Sequence, residues 1–115
     1  MALFPCSGSV SRALAVLESA SGFVDVDTLV RAAGITLPNL RRNVRECTGT
    51  TLVKLLQDSG LDRARLWLSS DREARSVEQI ARACGFGRGE SFVRAYRRRF
   101  GETPTQTRMR IFAPD

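Results

Sequence analysis

One pattern occurs twice in this chain. Val26-Asp27-Thr28-Leu29-Val30-Arg31-Ala32-Ala33-Gly34-Ile35 leads into Leu40-Arg41-Arg42-Asn43-Val44-Arg45. About fifty residues later, Val77-Glu78-Gln79-Ile80-Ala81-Arg82-Ala83-Cys84-Gly85-Phe86 leads into Phe92-Val93-Arg94-Ala95-Tyr96-Arg97. Each copy reads as a short helix, a glycine turn and a second helix with arginine on its outer face. That is the layout of a helix-turn-helix unit. At 115 residues the chain is one domain, or two very small ones sharing an element.

Local signals place the helices between and around the copies. Val10, Leu14 and Leu17 have helical spacing, so a first helix starts near Ser9 and ends before Gly22. Asp25 or Asp27 can cap the second helix, which stops at Gly34. Thr36 is a good N-cap for the third, with Pro38 in its first turn and Gly49 at its end. Leu52 to Ser69 is apolar-periodic through Leu55, Leu56, Leu66 and Trp67, and reads as a connecting helix. Gly60 in its interior costs roughly 1 kcal/mol against alanine and marks a bend or a break. Asp71 to Arg75 is a charged turn, and Ser76-Val77-Glu78-Gln79 has the capping-box form. The sixth helix covers Gly89 to Phe100, and Thr103-Pro104 opens a short final helix to about Ile111. The expected fold is all-α, with about seven helices and two helix-turn-helix subdomains. Residues 1–8 form a tail or linker stub, 9–49 the first subdomain, 50–71 the connecting helix and 72–115 the second subdomain.

Charge narrows the partner. The formal net charge is +6, and of 18 basic residues all but Lys54 are arginine. Such a balance favours a polyanion, because neutralised phosphates release counterions. Arginine's planar fork suits both phosphates and guanine edges. On a helical wheel, Leu37, Leu40, Val44 and Cys47 share one side of the third helix, while Pro38, Arg41, Arg42 and Arg45 share the other. In the sixth helix, Phe92, Tyr96 and Phe100 face inward and Glu90, Val93, Arg94 and Arg97 outward. The outer faces correspond: Pro38 with Glu90, Arg41 with Val93, Arg42 with Arg94, Arg45 with Arg97. Two such faces imply a protein that grips two stretches of double-stranded DNA groove. Arg98 would reach a flanking phosphate, whereas Arg99 projects nearer the core and would snorkel.

Other functions find little support. Histidine is absent and no C-x-x-C occurs, so neither a structural zinc site nor a Ser-His-Asp arrangement is expected, and no cofactor is implied. No glycine-rich phosphate loop follows a strand. The chain is not expected to be an enzyme. Cys47 and Cys84 read as small buried hydrophobes; Cys6 is a candidate for redox sensing. The start, Met1-Ala2-Leu3-Phe4-Pro5, lacks a basic region and a sustained apolar stretch, and no apolar run is long enough to span a bilayer, so a soluble cytoplasmic protein is expected.

These residues resemble the DNA-binding domain of the AraC/XylS family of bacterial transcription regulators. The resemblance covers about residues 9–110. Its most specific part is Ile80-Ala81-Arg82-Ala83-Cys84-Gly85-Phe86 followed by Ser91-Phe92-Val93-Arg94-Ala95-Tyr96-Arg97-Arg98-Arg99-Phe100-Gly101-Glu102-Thr103-Pro104. Leu40-Arg41-Arg42 with Thr48-Gly49, and Arg63-Ala64-Arg65, are also similar. The resemblance implies two subdomains joined by a rigid helix, with recognition helices in successive major grooves about 34 Å apart. It places base-facing positions on Pro38, Arg41 and Arg42, with Asn39 beside them, and on Gly89, Glu90, Val93 and Arg94. Arg42 and Arg94 are the expected guanine readers; Arg45, Arg97 and Arg98 are the expected phosphate contacts. Glu90 either accepts from a cytosine amino group or stabilises the helix N-terminus.

Three departures from the family stand out. Gly87-Arg88-Gly89 lacks the usual Ser or Asp cap, Asp58 and Gly60 replace common arginines, and Thr107 replaces a frequent aromatic, so the last helix is expected to pack loosely. The rival reading is a protein-interaction module whose basic faces dock on an acidic partner such as RNA polymerase. Family members usually carry a ligand-sensing or dimerising domain, which does not fit into residues 1–8. The chain is then either a short stand-alone regulator or the C-terminal piece of a longer one whose effector domain is missing here.

Overall fold

The computed structural model describes residues 8–19 and 24–112. It contains seven helices: α1 (Gly8–Ser19), α2 (Val26–Ala33), α3 (Leu37–Thr48), α4 (Leu52–Leu68), α5 (Val77–Ala83), α6 (Gly89–Phe100) and α7 (Pro104–Phe112). No strand occurs among the described residues. The expected tail and Cys6 lie outside the described residues, except that Gly8 already belongs to α1. The chain divides into two units, one ending at Ser59 and one beginning at Gly60.

In the first unit the caps expected from sequence set the helix ends. The Asp25 carboxylate accepts from the Thr28 amide at 2.8 Å and opens α2. Gly34 closes it in the left-handed region at φ 74°, where a side chain would be strained. Thr36 stands at the N-cap of α3 without making a side-chain cap bond, and Pro38 occupies the first turn, where its missing N–H costs nothing. The core is aliphatic: Val10, Leu17, Leu29, Leu40, Val44 and Leu52 are buried, and Leu55 and Leu56 pack against them. Cys47 packs there too, half-buried rather than buried as expected.

The second unit has its own core of Leu61, Ala64, Leu68, Ile80, Ala81, Cys84, Phe92 and Tyr96. Ser76 and Gln79 form the capping box in both directions, at 3.1 and 2.8 Å. Thr103 and Gln106 repeat that exchange at the start of α7, at 3.1 and 2.8 Å. Burial pushes the Cys84 thiol up to about 11, so it behaves as an inert apolar group.

Three expectations need correction. α4 runs unbroken through Gly60. A Cβ there would lie 2.8 Å from the Cys84 carbonyl oxygen, so glycine permits a close helix approach. As the connecting helix, α4 contributes to both interiors: Leu52, Leu55 and Leu56 belong to the first core and Leu61, Ala64, Trp67 and Leu68 to the second. Leu66 is 73% exposed and lies off the apolar stripe. α7 does not pack loosely through Thr107, which is buried and tied by its hydroxyl. Tyr96 Oη and Thr107 Oγ1 are 2.7 Å apart, and Thr107 Oγ1 donates to the Glu102 carboxylate. A carboxylate only accepts, so Thr107 gives its proton to Glu102 and receives Tyr96's. Arg110 pairs with the same carboxylate.

Candidate nucleic-acid interface

Each unit contains a helix pair with a short turn, and the second helix of each pair has one buried and one open face. In α3, Leu40 and Val44 are buried, and Pro38, Asn39, Arg41, Arg42 and Arg45 are exposed. In α6, Phe92 and Tyr96 are buried, and Gly89, Glu90, Val93, Arg94, Arg97 and Arg98 are exposed. All the site residues expected from sequence are thus at the surface of their units. The six on α6 line one open depression, and Arg41 and Arg45 line another with Thr51, Leu52 and Val53.

The elements that aim these faces are local to each unit. In the first, Arg12 of α1 donates to the Ala32 carbonyl at 3.0 Å and to the Ala33 carbonyl at 2.7 Å. A guanidinium at those carbonyls satisfies the exposed end of α2 and complements its dipole. It fixes α2 just before the turn. Nothing in the sequence flags this contact, because its partners are some twenty residues away and are backbone atoms.

In the second unit, rings hold α6. Phe86 and Phe92 meet edge-on at 5.3 Å between centroids, Phe92 and Tyr96 at 5.7 Å, and Tyr96 and Phe100 at 4.6 Å. Arg99 is drawn off the outer face and into this framework. Its Nε and Nη2 donate to both carboxylate oxygens of Asp62 at 2.8 and 3.0 Å. Arg65 stands over the Phe100 ring at 4.9 Å.

Pairing separates the arginines into two groups. Arg75, Arg82, Arg99 and Arg110 are matched to Glu73, Glu78, Asp62 and Glu102. Among the described residues, Arg41, Arg45, Arg94, Arg97 and Arg98 make no side-chain hydrogen bond or ion pair. Arg42 donates from Nη2 to Asn39 Oδ1 at 2.7 Å, one turn back on the same helix. That bond holds the guanidinium over the first turn of α3 and gives Asn39 a definite part. The first turn of α6 has no side-chain cap at Arg88, as its sequence implies, which leaves its leading amides open.

Five donors of one sign, unsatisfied by the protein and displayed on helix faces, define a surface for anions. The class of protein is then an all-α molecule with two helix-turn-helix units. Residues 29–110 match the helix-turn-helix domain family, and the chain belongs to that family, in its AraC type. It is 27% identical over 85 residues to the xylose operon regulatory protein of Escherichia coli K12, a match that covers 74% of this chain. The chain spans only 21% of that relative's length. A transcriptional regulator with an AraC-type DNA-binding domain from Chromobacterium violaceum superposes with a TM-score of 0.74 at 28% identity, covering 93% of this chain and 95% of that one. The DNA-binding domain of AdpA, solved in complex with a target DNA, gives a TM-score of 0.70 at 26% identity, with coverage of 90% and 93%. Among the described residues no helix is long and apolar enough to cross a membrane.

Proposed function

We propose that this chain binds double-stranded DNA sequence-specifically and regulates transcription in the bacterial cytoplasm, with α3 and α6 each entering a major groove and the two grooves successive. The observation that carries the reading is the set of unpaired arginines on the open faces of both second helices. Its chemistry is complementary to a duplex: a basic net charge for phosphates and planar forks for guanine O6 and N7. Arg42 and Arg94 act as the guanine readers, and Asn39 pre-orients Arg42. Arg45, Arg97 and Arg98 take phosphates, and the uncapped amides of α6 take another. Pro38, Arg41, Gly89, Glu90 and Val93 complete the groove-facing surface. The AdpA domain, with its DNA, supports the same use of this fold.

A binding titration tests the reading. Arg94→Ala should lose about 1–3 kcal/mol on the preferred duplex and relax selection at one base position. An equal loss on random DNA would mean that Arg94 serves only as a phosphate contact. A log–log salt slope near zero would transfer the basic faces to an acidic protein partner instead.

A further inference from the structure

Four large apolar side chains are exposed among the described residues: Val53, Leu66, Val93 and Met109. Of these, only Val93 stands on the open face of a second helix, between Glu90 and Arg97 and beside Arg94. It is 37% exposed and belongs to neither the buried set nor the partly buried set of the second core. Packing covers part of this side chain and leaves the rest open on the outer face. Helix propensity does not account for a valine there, since a β-branched residue is a poorer helix former than alanine. The corresponding residue of the first unit is Arg41, which is basic and exposed.

Resting on the DNA-binding reading above, we propose that Val93 is a specificity-determining residue that reads a thymine through its 5-methyl group. The thymine methyl is the apolar feature that the major groove presents among its hydrogen-bonding edges. Valine in a helix holds essentially one rotamer, so its methyls are offered in a fixed place. Little side-chain entropy is lost on contact, unlike with a long side chain. The neighbouring side chains on this face are polar, an acceptor at Glu90 and donors at Arg94 and Arg97. Val93 is thus an apolar gap in an otherwise charged row, and it matches a methyl and no other edge feature. Because Arg41 fills the equivalent place on α3, the methyl preference falls under the second unit alone.

The test starts from a preferred duplex selected out of a randomised pool with the whole chain. Each thymine is then replaced singly by 2′-deoxyuridine, which removes only the methyl. One replacement should weaken the wild-type protein about fourfold, the equivalent of roughly 0.8 kcal/mol for one buried methyl. Val93→Ala should bind the parent duplex more weakly by a similar factor and be indifferent to uridine at that position. Val93 is exposed and alanine is a strong helix former, so an unchanged circular dichroism spectrum is expected of the variant. Methyl-insensitivity at every thymine would overturn the proposal, as would a methyl-sensitive position that stays sensitive in Val93→Ala. A selection that returns no preferred duplex would instead defeat the DNA-binding reading, and this one with it.

Discussion

In the first unit, the turn between α2 and α3 covers residues 34–36, the core is aliphatic, and a guanidinium from α1 holds the end of α2. In the second, the turn between α5 and α6 covers residues 84–88, and a run of aromatic rings from Phe86 to Phe100 holds α6. Among the described residues the second interior adds aromatic rings that the first lacks, whereas the open faces of α3 and α6 match at Arg42 with Arg94 and at Arg45 with Arg97. A helix pair can be fixed by any interior of the right volume. Recognition of an anion needs particular donors in particular places. The difference between the units therefore separates residues that build the frame from residues that use it.

The largest expected effect comes from breaking the aromatic frame. Phe92 is fully buried between Phe86 and Tyr96, and Phe92→Ala should lose about 3–5 kcal/mol in urea unfolding. Hydrogen exchange should accelerate first at Ile80, Ala81 and Tyr96, with Leu29 and Leu40 keeping their protection. Uniform acceleration would mean that the two cores are not separate. Next comes the clamp of the first unit. Arg12→Ala removes a charged donor from two carbonyls at a helix end and should cost about 1–2 kcal/mol. A change below about 0.5 kcal/mol, ordinary for a surface position, would deny Arg12 that part.

The smallest effect concerns the loop before α5. Arg75 stacks on Trp67 at 4.3 Å and donates to both Glu73 carboxylate oxygens at 2.9 and 2.7 Å. These bonds and the Arg75 amide hold the Glu73 carboxyl down at about 2. A depressed carboxyl stabilises the fold in full above its ordinary value and loses that contribution as pH falls through the folded one. The difference in thermal midpoint between wild type and Glu73→Gln should be widest near neutral pH and close between about 4.5 and about 2. A difference that is constant with pH would show that the ion pair adds nothing.

Most of the frame was legible because its signals are local. Asp25, Gly34, Pro38, Gly49, Ser76 with Gln79, and Gly101 mark helix ends within one turn of where they act. Wheel periodicity separated buried Leu40, Val44, Phe92 and Tyr96 from the exposed arginines for the same reason. What escaped depends on contacts between distant residues. Gly60 reads as a helix flaw until the Cys84 carbonyl is placed beside it. Thr107 reads as a missing aromatic until Tyr96 and Glu102 are placed around its hydroxyl. The wheel turns Arg99 toward the core and Arg98 away from it, but the partner of Arg99, Asp62, lies 37 residues away and shows only in the fold. Periodicity places a residue on a face, whereas partners across tens of residues require the fold.

Central to the proposed function is that both open faces engage one duplex at once. Hydroxyl-radical footprinting on a selected duplex tests this directly. Two protected segments centred about 10–10.5 base pairs apart are predicted, with Arg42→Ala clearing one and Arg94→Ala the other. A single protected segment, or two variants that both weaken the same one, would contradict it.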